Sequence, residues 1–255
     1  MESDIYKKEY PLTGILFVAW KIFRGNAITL IAIILLVWTP INIVNLLVNE
    51  NFSVTIPELK NPDLSPEEQN ALIDLHSDEI ITSFVTISLV TIITSLISLI
   101  SAMALAFFVK SCIDEKKISL QTAYLKALGR WPSAILTRII LSVLLIPLFL
   151  LIIVPGVIYS VYWGFAITAV ALSGKSGKAA LDHSKKIVKK RWWNVFAIAL
   201  MLLLVDGSFI LSPAGFGPGL IFLTILSIVS SYLFVVQIIM YLNYESNIRP
   251  QGRKD

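Results

Sequence analysis

The chain has 255 residues, of which 56% are hydrophobic and only 15% charged. Its mean hydropathy is +0.79, and an ordinary soluble domain carries about 25% charged residues, so water is not its main solvent. The net charge of +4 comes from short basic segments between apolar blocks, which excludes a soluble basic domain and with it a nucleic-acid partner.

Met1 to Tyr10 mixes acids with Lys7 and Lys8, and no small-residue cleavage site follows the first apolar stretch, so no removable signal peptide is expected. Beyond it the apolar residues fall in blocks of about 18 or more with almost no charge, the length of a bilayer crossing. Crossings are helices or closed barrels, because backbone N–H and C=O groups cannot stay unpaired in hydrocarbon. The blocks lack the period-two alternation of barrel strands. The expected fold class is therefore all-α: one polytopic membrane domain over residues 1–255 with about six transmembrane helices and short interfacial amphipathic helices.

The spans fall at approximately 27–48, 80–109, 133–153, 155–173, 192–211 and 220–243. Residues 133–174 form a single apolar block, too long for one crossing of about 20 residues. Pro155-Gly156 supplies a turn that would fold it into a tight hairpin, with Pro147 as the other possible bend.

Orientation follows from Lys and Arg, which accumulate in cytoplasmic loops. Twenty of the 21 basic residues lie in four segments: Lys7 to Arg24, Lys110 to Arg138, Lys175 to Arg191, and Arg249 to Lys254. The loop 50–79 holds only Lys60 against eight acids. A multi-pass protein of the cell (plasma or inner) membrane is expected, with both termini cytoplasmic and loop 50–79 outside.

A pattern recurs before three spans: Ala19-Trp20-Lys21-Ile22-Phe23-Arg24-Gly25-Asn26, Tyr124 to Pro132, and Ile187-Val188-Lys189-Lys190-Arg191-Trp192-Trp193-Asn194. Basic segments with Trp or Phe suit the headgroup layer, which suggests three units of an interfacial helix followed by two crossings. Any inside-to-membrane transition also selects such residues.

Ile153-Val154-Pro155-Gly156-Val157-Ile158-Tyr159, Phe165-Ala166, and Ala179-Ala180-Leu181-Asp182-His183-Ser184 running into Trp192-Trp193-Asn194-Val195-Phe196, with the late Tyr241-Leu242-Asn243-Tyr244, carry a resemblance. The chain resembles the bacterial and archaeal family of six-span proteins related to the membrane domain of glycerophosphoryl diester phosphodiesterases. The resemblance covers residues 14–246 and is most specific over 150–196. It implies a fold more than a function, since most such members standing without a catalytic domain have no assigned activity. Two departures stand out. Many relatives place a Glu before the Ala-Leu-x-x-Ser helix, where this chain has Ser173-Gly174. The soluble barrel with the catalytic histidines and acids is absent, so no enzyme activity is expected.

Metal-assisted hydrolysis needs several His, Asp or Glu converging on one point. The chain has only His76 and His183, placed by this topology on opposite sides of the membrane. Asp74, Asp78 and Glu79 around His76 read as a solvated loop before they read as a hard-cation site, and the lone Cys112 reads as a packing residue. No catalytic residue, cofactor or metal is expected. Asp206 is the one acid inside a predicted span and the intramembrane polar candidate, although its distance from Trp192 also suits a helix end near the outer headgroups. Ser88, Thr91, Ser95 and Ser98 form a hydroxyl stripe on the second span, which reads first as helix-helix glue and second as a polar path. Pro40 with Asn42 and Asn45 reads as a kinked span end that seeks an interface.

The strongest local signal is Lys175 to Arg191, with seven basic residues against Asp182 alone. Leu181, Ser184 and Val188 share one face, with Ala180 and Ile187 beside them. Lys185, Lys186, Lys189, Lys190 and Arg191 are the lipid-binding candidates, since each basic residue near an anionic surface gains about 1 kcal/mol. The bland reading is that these charges only hold the loop inside. The leading expectation is a non-enzymatic accessory or structural protein whose basic cytoplasmic face engages anionic membrane lipid, another membrane protein or a second copy of itself. A small transporter or permease subunit is the alternative, and a lipid-headgroup enzyme the third.

Overall fold

The computed structural model describes residues 3–52, 64–151, 153–207 and 216–248. Helix α1 (Leu12–Phe52) bends at Asn26, whose φ of −139° leaves the helical region. The Asn26 amide donates to the Ile22 carbonyl at 3.0 Å, closing the turn that the bend opens. The bend separates the basic-aromatic segment from the apolar run behind it.

Helix α2 (Pro66–Leu75) starts on a capping box, in which Glu68 N–H donates to Ser65 Oγ and the Glu68 carboxylate accepts from Ser65 N–H. Helix α3 (Ser77–Ile113) follows and runs for 37 residues, about 55 Å at 1.5 Å per residue. Its far end closes with Glu115 in the left-handed region, φ 56°. Lys116 N–H and Glu115 N–H there donate to the Ser111 and Cys112 carbonyls, a Schellman ending.

Helix α4 (Leu120–Leu151) contains Pro132 and Pro147, and neither ends it. The following apolar stretch is two helices, α5 (Ile153–Tyr162) and α6 (Ala166–Ser173), divided at Trp163-Gly164-Phe165. The expected turn at Pro155-Gly156 lies instead inside the first turn of α5, where proline removes no helical hydrogen bond. Gly156 serves the hairpin in another way. A Cβ there would stand 2.6 Å from the Phe149 ring, so the absent side chain lets α5 close on α4.

Gly174, φ 67°, ends α6 in the left-handed conformation. The Arg130 guanidinium donates to the Val170 and Ala171 carbonyls at 2.9 and 2.8 Å, satisfying the acceptors a helix end exposes. Then come α7 (Lys178–Val188), α8 (Trp192–Gly207) and α9 (Phe216–Ser246). Helix α9 packs along α1, α3 and α8, and Val235 to Tyr244 are nearly all buried, as expected of a helix that is apolar on every side. Asn42 of α1 donates to Ser227 of α9 at 3.3 Å in the interior, which makes the kinked span end a helix-helix contact.

The core gathers at one end of the bundle, where the start of α1, the end of α3, α6, α7 and the end of α9 meet. Elsewhere large apolar side chains face outward: Phe84, Leu150 and Leu151 are 72%, 81% and 80% exposed. Soluble proteins do not present such a surface over whole helices. Five helical stretches are long and apolar enough to cross a bilayer, namely Leu12–Phe52, Ser77–Ile113, Leu120–Leu151, Ile153–Ser173 and Pro218–Ser246. A sixth, Trp192–Val205, is apolar but shorter. No strand occurs among the described residues.

Candidate functional site

The basic segments converge because the N-terminal turn is held against the end of α9. Asn243 is fully buried. Its side-chain N–H group donates to the Ile5 and Lys8 carbonyls at 2.7 and 2.8 Å, and its oxygen accepts from Tyr10 N–H at 3.1 Å. The Tyr6 hydroxyl donates to Asp114 at 2.7 Å, tying the turn to the end of α3. Burial pushes the Tyr6 phenol above its ordinary pKa, and the hydrogen bond to Asp114 adds to the shift. Burial also opposes ionisation of Asp114, but hydrogen bonds from Lys110 and Tyr6 outweigh it and hold its pKa below the usual aspartate value. The acidic helix α2 sits at the opposite end of α3, so the two signs of charge are separated by the length of that helix.

The apolar stripe of α7 does not lie open to acyl chains. Ala180, Leu181, Ile187 and Val188 are all within 2% of full burial and pack into the protein. Ser184 is buried with them; its hydroxyl donates to the Tyr162 carbonyl at 2.7 Å and accepts from Phe165 N–H at 3.1 Å. It therefore satisfies both sides of the break between α5 and α6.

The five basic candidates separate accordingly. Arg191 pairs through two nitrogens with the Glu9 carboxylate and lies 4.6 Å from the Tyr244 ring centre. Lys185 sits over the Tyr159 and Tyr162 rings at 5.1 and 5.9 Å. Lys190 contributes to the positive field at Glu9. Lys186 and Lys189 are exposed and carry no partner among the described residues. Asp206 falls in the last turn of α8, and its side chain lies outside the described residues.

The hydrogen bond from Arg191 holds the Glu9 carboxyl below the ordinary glutamate pKa, with burial opposing and the Arg191 and Lys190 charges assisting. A carboxylate with a depressed pKa in the folded state stabilises fully above its unfolded value, roughly 4.3. That contribution disappears as pH falls through the lower folded value. The Glu9 side chain is 48% exposed, so the pair adds no more than about 1 kcal/mol. Thermal melts of wild type and Glu9→Gln are expected to differ near neutrality and to converge as pH falls below the ordinary glutamate value. A constant difference through that fall would remove Glu9 as the titrating group.

Beside the Arg191–Glu9 pair lies a partly buried polar chain that the sequence did not reveal. Ser173 donates to the Glu245 carboxylate at 2.7 Å and is 2.6 Å from the Tyr241 hydroxyl. Its one proton is spent on Glu245, so Tyr241 donates to Ser173. His183 Nε2 is 3.0 Å from the same Glu245 oxygen, and Lys175 Nζ is 2.8 Å from His183 Nδ1. An ammonium only donates, so Nδ1 accepts and the ring proton on Nε2 goes to Glu245. The chain links the loop before α7 with the end of α9. Among the described residues no three His, Cys, Asp or Glu side chains gather as metal ligands, and His76 spends Nδ1 on the Leu72 carbonyl at 3.0 Å.

A recess of about 660 Å³ opens between the basic segment of α1 and the end of α3, lined by Phe17, Trp20, Lys21, Arg24, Cys112 and Lys117 among others. Trp20 stands against Phe23 and the edge of Tyr232, which fixes its indole at the rim. Three cations beside two outward aromatic rings form an amphipathic mouth, the surface that a lipid headgroup and the start of its chains would meet.

The helices, their outward apolar faces and this charged end define an all-α polytopic integral membrane protein. No family model matches the chain, and no curated protein or solved structure matches it.

Proposed function

We propose that the chain is a non-enzymatic protein of the cell membrane that engages anionic lipid through its basic end, with that end and both termini cytoplasmic. We also read it as a relative of the six-span family named above, on the motifs between Ile153 and Phe196. The observation that carries the function is the recess with Lys21, Arg24 and Lys117 at its mouth. Exposed Lys186 of α7 and Lys189 just beyond it extend the positive surface at the same end. The enrichment of cytoplasmic loops in basic residues supports the orientation.

Three basic residues near an anionic surface are worth up to about 3 kcal/mol at low salt, and screening lowers this. The triple variant Lys21→Gln/Arg24→Gln/Lys117→Gln is expected to retain at least tenfold less phosphatidylglycerol than wild type in native mass spectrometry, a change of about 1.4 kcal/mol. Lys186→Gln/Lys189→Gln should lose less, because those charges stand on an open surface. Equal retention by the triple variant and wild type would overturn the reading. For orientation, cysteines at exposed Asn70 and Ser176 should label from opposite faces of the membrane, Asn70 from outside. Asn70 is preferred to Ser65, which caps α2.

A further inference from the structure

Arg138 belongs to an apolar helix long enough to cross the bilayer, α4, and its neighbours Leu136 and Ile139 are about half exposed. It is itself exposed and has no hydrogen bond, ion pair or ring contact among the described residues. A guanidinium on a lipid-facing stretch is costly without an anion. Arg138 also stands where three recesses meet. One, of about 450 Å³, lies between α1, α3, α6 and α9 and includes Thr91, Ser95, Ser98 and Gln237 in its lining. A second, of about 400 Å³, follows α4 past Leu141, Leu145, Ile146, Phe149 and Leu150. The third, of about 210 Å³, reaches Ser160 and Gly164 at the break between α5 and α6.

Four polar groups of this recess share one hydrogen-bonding sense, beside Asn45 and Thr168, which also line it. Thr91, Ser95 and Ser98 each donate to a carbonyl of their own helix at 2.8 Å, so their oxygens are left as acceptors. The Gln237 amide N–H donates to the Gly164 carbonyl at 2.9 Å, which leaves its oxygen as an acceptor too. The site therefore offers one strong cationic donor, a row of acceptors and an apolar channel. A matching ligand has an anionic group, several N–H or O–H donors and a hydrocarbon chain.

We infer that Arg138 anchors the phosphate of one bound phospholipid, with a donor-bearing headgroup such as ethanolamine or glycerol against Thr91, Ser95, Ser98 and Gln237 and an acyl chain along Leu141 to Phe149. This site is separate from the recess at Lys21, Arg24 and Lys117 and does not depend on it. Irregular backbone is tolerated at membrane depth where it lines a cavity, which gives the break at Trp163 to Phe165 a place in the same arrangement.

The test is native mass spectrometry of the full chain in mild detergent with added phosphatidylethanolamine, phosphatidylglycerol or phosphatidylcholine, and separately with glycerol 3-phosphate. Wild type is expected to hold one lipid with amine or glycerol headgroup, and phosphatidylcholine more weakly because its ammonium has no N–H. Arg138→Gln should weaken that lipid roughly tenfold or more, as loss of a charge-assisted contact does, and Arg138→Lys should restore part of it. The triple variant at Lys21, Arg24 and Lys117 should keep the lipid, which separates this site from the proposed surface engagement. Leu145→Trp, which fills the channel without touching the charge, should also lose it and decides the matter if Arg138→Gln does not fold. Undiminished retention in Arg138→Gln or in Leu145→Trp overturns the inference. So does binding of glycerol 3-phosphate as tight as that of the lipid, which would mean a free phosphate ester is the ligand.

Discussion

Asn243→Leu is expected to release the N-terminal turn and to cost about 2–4 kcal/mol of stability. The change keeps the branched outline of a fully buried side chain, with bulkier methyl groups, and removes all three of its hydrogen bonds to residues 5–10. The Asn orientation is fixed by its partners: two carbonyls face the N–H group and one amide faces the oxygen, so the reverse placement would set oxygen against oxygen. Left alone, the Ile5 and Lys8 carbonyls and the Tyr10 amide would each lose a partner, at about 1–3 kcal/mol for a group that stays buried. The turn can escape much of that by detaching into water, which keeps the total in the stated range and predicts the phenotype. Amide hydrogen exchange over residues 5–10 should become fast while the centres of α3 and α9 stay protected. The Tyr6–Asp114 contact, 2.7 Å in the intact protein, would be lost with it. Unchanged protection of residues 5–10 would show that Ile5, buried to 1% exposure, holds the turn by packing alone.

Ser184→Ala is expected to be comparably severe, again about 2–4 kcal/mol. The hydroxyl is fully buried and is the partner of one carbonyl and one amide at a point where the helix is interrupted. Neither group has a helical neighbour to turn to, because the turn at Trp163 to Phe165 separates α5 from α6. Alanine leaves both without a partner inside the core. The same hydroxyl fastens α7 to the bundle, so its loss should also loosen the basic helix. Asp182→Ala, on the exposed side of the same helix, serves as the control and should stay within about 0.5 kcal/mol. Thermal unfolding in detergent reads both. Equal melting of Ser184→Ala and Asp182→Ala would mean that the break is stabilised without this hydroxyl.

These two residues show what kind of information a motif carries. Ser184 is the serine of the Ala-Leu-x-x-Ser run, and Asn243 belongs to the Tyr-Leu-Asn-Tyr run; both were visible as patterns, and neither pattern said what the side chain binds. Ser173, before α7, is a similar case: Glu245 brings a carboxylate to 2.7 Å from its hydroxyl across 72 residues of sequence. The amphipathic stripe of α7 was legible, but whether it faced lipid or protein was not, since acyl chains and a buried core select the same residue types. Lys185 and Arg191 are legible in the sequence as lipid-binding candidates; that aromatic rings or a carboxylate of the protein also stand against them is not. In the sequence Arg138 closes a basic segment; in the fold it stands among outward apolar side chains of α4, apart from the other charges.

By itself the sequence determined the solvent of each segment: hydrocarbon for the apolar blocks, and water for one acidic loop and four basic segments. Transfer between water and lipid adds residue by residue along a contiguous stretch, so composition and order suffice for it. Only the tertiary structure decided which polar groups meet. Those pairs lie far apart in the chain, 62 residues for His183 and Glu245 and 238 for Asn243 and Ile5. Their bonds depend on distance and angle, set by the way α1, α3, α7 and α9 pack rather than by local pattern.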